Sequence, residues 1–270
     1  MNAADVATTD KEKRQKTDKI DARKLCEHLQ TKKMKGIYVP SLQWEHGRSL
    51  VRARARIVSN QTRCKNRIWQ LFHFSGLAIP KDYIAGQYWS RNFLKELQAT
   101  DCGTEELKTT LSLYIKDFLQ TRDLLVEATR AVRKLCKQPE YQTWIILLRS
   151  IPGIGEINAA VILFELQDVS RFKRFDHLCS YVGLVPNTHD SGETKKSKGI
   201  TNRSNHYLRT ALVESSWSVV RKDPALLMKY KGYCRTMEKN KAIIRIAKHL
   251  LSRINYVLKN KKEYVPGVVA

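Results

Sequence analysis

Residues Leu107, Leu111, Tyr114, Phe118, Thr121, Leu125, Ala128, Val132 and Leu135 alternate at spacings of four and three without a slip. That repeat needs one long helix with an apolar seam against a partner helix. A second stretch, Leu50, Ile57, Cys64, Ile68 and Leu71, follows the same period, with Arg54 and Gln61 breaking it. The two are expected to pair as an antiparallel coiled-coil arm over residues 48–140, a structural element through which two copies of the chain could pair. Arg48, Arg52, Arg54, Arg56, Arg63, Lys65 and Arg67 crowd the first helix, where they could meet backbone phosphates. The aromatics between the helices, Trp69, Phe72, Tyr83, Tyr88 and Trp89 among them, read as a small core ahead of a base-stacking platform.

Charge narrows the partners. Among 270 residues, 49 Lys and Arg face 26 Asp and Glu, a net charge of +23. An excess this large, spread through every segment, points to a polyanion, and to DNA or another nucleic acid before a membrane surface. No apolar run reaches membrane-spanning length. The opening MNAADVATTDKEKRQK has no apolar core of the kind a secretory signal needs, so a cytoplasmic, nucleoid-associated protein is expected. Six cysteines lie far apart without a zinc-type spacing, and read as reduced, mostly packed thiols.

The chemistry is expected in Gly183–Arg209, a polar stretch holding Ser191-Gly192 together with Lys195, Lys196, Lys198, Arg203 and Arg209. A hydroxyl beside a glycine and ringed by cations suits attack on a phosphodiester; the competing reading is a solvated loop. Upstream, Ile145–Leu166 is apolar around Pro152-Gly153-Ile154-Gly155. This fits a helix-hairpin-helix, whose glycines let backbone N–H groups approach a phosphate. It fits plain packing of two helices equally well. Near the start, Asp18 and Asp21 are three apart, so on a helix both carboxylates could reach one cation or simply pair with nearby lysines.

In this order, KTDKIDA, an arginine-rich coiled coil, IPGIG, FxxxxxxxSYVGLVP, a Ser-Gly and NxxLR resemble the insertion-sequence one-ten transposases, DEDD recombinases with a RuvC-like N-terminal domain and a C-terminal transposase domain. The resemblance implies Ser191 as a nucleophile that links covalently to DNA and Asp18 and Asp21 as ligands of Mg²⁺. It further implies Asn205, Leu208 and Arg209 as the loop's closing motif, a structured guide RNA, and cooperation between subunits. Two departures are visible. Only 17 residues precede Asp18, too few for the strands that carry the family's first acidic pair, so the chain is expected to begin partway through that domain. Ser204 stands where the family usually has glycine, which would matter at a positive φ.

The expected fold is therefore mainly α. Residues 1–47 would be the remnant of a RuvC-like (RNase H fold) domain, 48–140 the arm, 141–262 a helical transposase domain with its helix-hairpin-helix, and 263–270 a frayed tail. A short hairpin could form around the central loop. In the alternative, the protein binds nucleic acid without catalysis, through the Gly153-Gly155 turn and its basic helices.

Overall fold

The computed structural model describes residues 17–33, 36–80, 83, 88–191, 194–201 and 204–265, with only the backbone described over 186–191 and 194–200. The chain divides into two units, Met1–Ser41 and Leu42–Ala270. The first contributes one described helix, α1 (Asp18–Gln30), with no buried residue. It starts at Thr17, whose hydroxyl accepts from the Ile20 N–H, and Asp18 and Asp21 lie in its first turn, where the positive end of the helix dipole favours acidic side chains.

In the second unit the order is α2 (Leu42–Phe74), α3 (Arg91–Ala99), α4 (Glu105–Cys136), α5 (Pro139–Arg149), α6 (Glu156–Leu166), a 3-10 turn (Val169–Arg171), α7 (Phe175–Val182), β1 (Pro186–Ser191), β2 (Thr194–Ile200), α8 (His206–Lys222), α9 (Pro224–Cys234) and α10 (Lys239–Asn260). Mainly α is thus the architecture of the described residues.

Helices α2 and α4 form the arm. Arg54 donates to Thr129 and Arg67 to Asp117, while the Cys64 thiol contacts Asp117 and Thr121, a descending register that only antiparallel helices give. Leu111, Phe118, Thr121 and Val132 are buried on the seam of α4, and Cys64 and Ile68 on that of α2. Two positions slip. Ile115 and Cys136 are buried while their neighbours Tyr114 and Leu135 are half-buried, the drift expected of a 3.6-residue period against a 3.5-residue repeat.

The arm ends in its own core of Ile68, Phe72, Phe93, Leu97, Ile115 and Phe118. Trp69, Tyr88 and Trp89 pack against Phe93 with ring centroids 5.2–5.9 Å apart. These aromatics form a hydrophobic cluster, as their spacing suggested.

At its other end the arm merges with the rest of the unit. Val51, Val132 and Cys136 share one core with Leu148, Phe164, Leu212, Ile246 and Leu250. The segments that the sequence set apart near residue 141 therefore meet in a common interior. Gly47 makes the junction close: a Cβ there would lie 2.3 Å from the Phe164 ring, and Trp44, Tyr141 and Phe164 interlock around it. Cys64, Cys102, Cys136 and Cys179 are buried and all six cysteines are free. Burial pushes the Cys136 thiol up to about 11, so it is an inert packing group.

The C-terminal segment is anchored further than a frayed tail would be. Tyr264 donates its backbone N–H to Ser150 Oγ at 2.8 Å, and Arg253 lies over its ring at 4.9 Å. The residues beyond 265 fall outside the described ones.

Candidate nucleic-acid interface

The hairpin is the centre of the region. β1 and β2 pair antiparallel with Ser191 opposite Thr194, Asp190 opposite Lys195 and His189 opposite Lys196. The ladder places the backbone positions of Ser191 and two lysines within one short ribbon. Lys198 follows in β2, Gly192 and Arg203 lie outside the described residues, and the side chains of Ser191, Lys195, Lys196 and Lys198 are likewise outside them.

What the structure describes fully is the footing of this ribbon. Before it, α7 ends at Gly183 with φ +81, and the N–H groups of Gly183 and Leu184 both donate to the Cys179 carbonyl. This left-handed cap is open to glycine at little cost. After it, Asn205 starts α8 with its Oδ1 accepting from the Leu208 N–H, and its own N–H donates to the Tyr181 carbonyl. Thr201 N–H donates to Val185 O, and Arg209 Nη1 reaches Thr201 O at 3.1 Å. Every member of the NxxLR motif is thereby explained locally: Asn205 caps, Leu208 is buried, and Arg209 ties down the returning strand.

Beneath the footing sits a carboxylate that the sequence reading passed over. Glu165, its side chain fully buried, closes the apolar helix α6 and accepts from Arg52 Nε at 2.6 Å and Nη2 at 2.8 Å. It also accepts from Asn205 Nδ2 at 2.7 Å. Tyr181 receives the other Asn205 N–H and donates its hydroxyl to the Glu165 carbonyl. Arg52 further lies 5.0 Å over the Tyr207 ring. The hydrogen bonds to Glu165 outweigh burial and raise the Arg52 pKa. A buried carboxylate needs such full pairing to be tolerated. The node joins α2, α6, α7 and α8 directly under the ribbon. The one available signal was a lone acid in the run AAVILFEL.

Other expected contacts prove to be engaged inside the protein. Gly153 takes φ +88, and a Cβ there would lie 2.7 Å from the Val219 backbone nitrogen; the glycine admits α8 and is not an open approach to a phosphate. Gly155 does face open space at the start of α6, which has no side-chain cap. Asn205 spends its amide on the node. On α2, Arg48, Arg52, Arg54 and Arg67 all bond within the chain, and Lys65 lies over Trp89 and Phe118. Arg56 and Arg63 stay exposed. Ser204 has no positive φ. It abuts Gly183 instead, where an added Cβ would lie 2.3 Å from that of Ser204, and its buried hydroxyl has no partner among the described residues.

Among the described residues no group of three or more His, Cys, Asp or Glu could hold a metal, and no described helix is long and apolar enough to cross a membrane. Asp18 and Asp21 share one turn of α1, and no third carboxylate joins them among the described residues.

Residues 146–231, from the end of α5 into α9, match the model of the Transposase IS116/IS110/IS902 family. The chain is 24% identical over 214 residues to a transposase for insertion sequence element IS1111A from Coxiella burnetii, covering 77% of this chain and 56% of that protein. It is 27% identical over 207 residues to a probable family 20 transposase from Pseudomonas aeruginosa, covering 76% and 60%. A pilin gene-inverting protein of Moraxella bovis is 33% identical over 111 residues, 38% of this chain and 34% of its own. The chain thus spans little more than half the length of the longer-matched relatives.

Proposed function

From the premise that this chain belongs to the IS116/IS110/IS902 transposase family, we propose that it acts on DNA as a recombinase in which Ser191 is the nucleophile. The observation that carries this reading is the ribbon. It sets Ser191 at the last paired position of a cationic hairpin, and an interior braced by Glu165 holds both of its feet. Function placed on a loop over a rigid platform is a common arrangement.

In the proposed step the Ser191 hydroxyl attacks a DNA phosphorus and an Oγ–P bond forms. One P–O bond of the strand breaks, the serine proton passes to a base, and the departing alkoxide takes a proton from water to leave as a hydroxyl. Cations in the ribbon stabilise the charge that builds on the phosphate oxygens. Resealing reverses the sequence with a second strand's hydroxyl. Lys195, Lys196, Lys198, Arg203 and Arg209 are the cations proposed for the phosphate, and Gly155 at the open start of α6 is a further backbone contact.

Mg²⁺ is the cofactor the family resemblance implies. It is served only in part by the described residues, since Asp18 and Asp21 supply two carboxylates where a phosphoryl-transfer ion takes more oxygen ligands. A guide RNA and a second copy of the chain are proposed partners. The strongly positive charge supports the first. The second is supported by Leu113 and Leu124, exposed eleven residues apart on one face of α4, a spacing of three turns.

The test is covalent capture: protein is incubated with DNA of cognate element ends, denatured, and examined for a protein–DNA adduct. Wild type should form it and Ser191→Ala should not. Equal adduct in both removes Ser191 from the chemistry. No adduct in either, with DNA binding intact, favours the non-catalytic reading.

A further inference from the structure

The α7–β1 junction, α9 and the outer face of α10 enclose an open cleft of about 1010 Å³ beside the foot of the ribbon. Its floor is apolar and aromatic, made by Phe175, Val185, Ile244 and Tyr233. Lys241, Arg245 and Lys248 line its rim, at spacings of four and three that align them along one side of α10.

The three cations differ. Lys241 is paired with Glu238 at 3.3 Å. Arg245 and Lys248 have no carboxylate within ion-pairing distance among the described residues, and both are exposed. The Arg245 guanidinium lies 5.4 Å over the Tyr233 ring. The ring itself is fixed, because its hydroxyl meets His249 Nε2 at 2.9 Å with the two rings only 13° apart in plane. Burial, followed by Lys229, Arg253 and Lys248, lowers the His249 pKa and so favours the neutral imidazole beside Tyr233.

A wide apolar cleft with a fixed aromatic ring and two uncompensated cations calls for a ligand with a flat face and flanking anions. An unstacked nucleobase between two phosphates has that form. Duplex DNA does not offer it, because its base faces are already stacked. An acidic peptide carries the charge without the face.

We propose that this cleft binds single-stranded DNA, with one base on the Tyr233–Arg245 stack and flanking phosphates on Arg245 and Lys248. The proposal rests on the reading that the chain acts on DNA. It identifies where a strand separated next to the ribbon is held: Val185 in the cleft directly precedes Pro186, the first residue of β1.

Fluorescence anisotropy of the whole chain with a fluorescein-labelled oligothymidylate tests it. Tyr233→Leu should weaken binding roughly tenfold, the scale of one base–aromatic stack, while Tyr233→Phe keeps the ring and the affinity. Arg245→Ala with Lys248→Ala should flatten the salt dependence by about 0.7 per residue removed. Labelled duplex should be bound equally by all variants. Thermal melts accompany each variant, and the exposed Arg245→Ala carries the test alone if Tyr233→Leu does not fold.

Unchanged affinity in Tyr233→Leu and Arg245→Ala overturns the site. So does an equal loss for duplex, or competition by polyglutamate as effective as by oligothymidylate. Tighter, Tyr233-dependent binding of oligouridylate would overturn the assignment to DNA. Ser191→Ala should bind oligothymidylate normally, so failure of the covalent step and failure of this cleft give different results.

Discussion

Two buried carboxylates hold the second unit together, and they do different work. Glu165 joins elements remote in sequence: Arg52, 113 positions away, and Asn205, 40 positions away, both donate to it under the ribbon. Asp223 works closer to home. Its Oδ1 caps α9 by accepting from the Leu226 N–H, and its Oδ2 accepts from Arg253 and from the Tyr264 hydroxyl. One carboxylate fixes the functional segment and the other fixes the C-terminal end. In both places a buried, fully bonded carboxylate ties a segment to the helical body.

Breaking the first brace should have the larger effect. Arg52→Met leaves Glu165 buried with Asn205 as its one remaining side-chain partner among the described residues. A loss of about 3 kcal/mol is expected in denaturant unfolding, with faster amide exchange at Thr201 and Asn205. A loss below about 1 kcal/mol would mean that the pair acts like an exposed one. Asp223→Asn keeps an oxygen for the helix cap and removes the charge that Arg253 faces, so a smaller loss of about 2 kcal/mol is expected.

That second brace also has a pH signature. Burial by itself would raise the Asp223 pKa, but the hydrogen bonds from Arg253 and Leu226 prevail and hold it below the usual aspartate value. A depressed folded pKa contributes stability in full above the unfolded value, and this is lost as pH falls through the folded one. The gap in stability between wild type and Asp223→Asn should therefore close below about pH 4. A gap that stays constant down to pH 3 would show that Asp223 acts through shape and not charge.

The smallest effect belongs to Ser204, beside the first brace, whose buried hydroxyl lacks a partner among the described residues. Ser204→Ala should stabilise by about 1 kcal/mol, whereas Gly183→Ala, at φ +81 and against Ser204, should cost at least about 2 kcal/mol. A destabilising Ser204→Ala would indicate a bonded hydroxyl.

Periodicity made much of this legible in the sequence. The buried faces of α8 (Leu208, Ala211, Leu212, Ser215 and Val219) and of α10 (Ile243, Ala247, Leu250, Ile254 and Val257) recur at helical spacing in the sequence, because one helix face reports its burial in its own spacing. The seam of α4 was clear for the same reason. That of α2 was less so, since Arg54 occupies a seam position by bonding Thr129. Glycine was ambiguous for a physical reason: a missing Cβ serves a phosphate and a neighbouring helix alike, and only the distance to Val219 separates the two at Gly153. The pairing of Arg52 with Glu165 leaves no periodic trace at all, because neither residue's neighbours encode the other.

The close meeting of Gly183 and Ser204 bears on how such a protein could change. Because the chain leaves and re-enters the helical body at nearly one point, β1 and β2 form a detour from it between Val185 and Thr201, whose backbones bond each other. Ribbons of other lengths or compositions could be spliced between these two residues while the helices below keep their arrangement, which makes the crossing a natural seam for exchange.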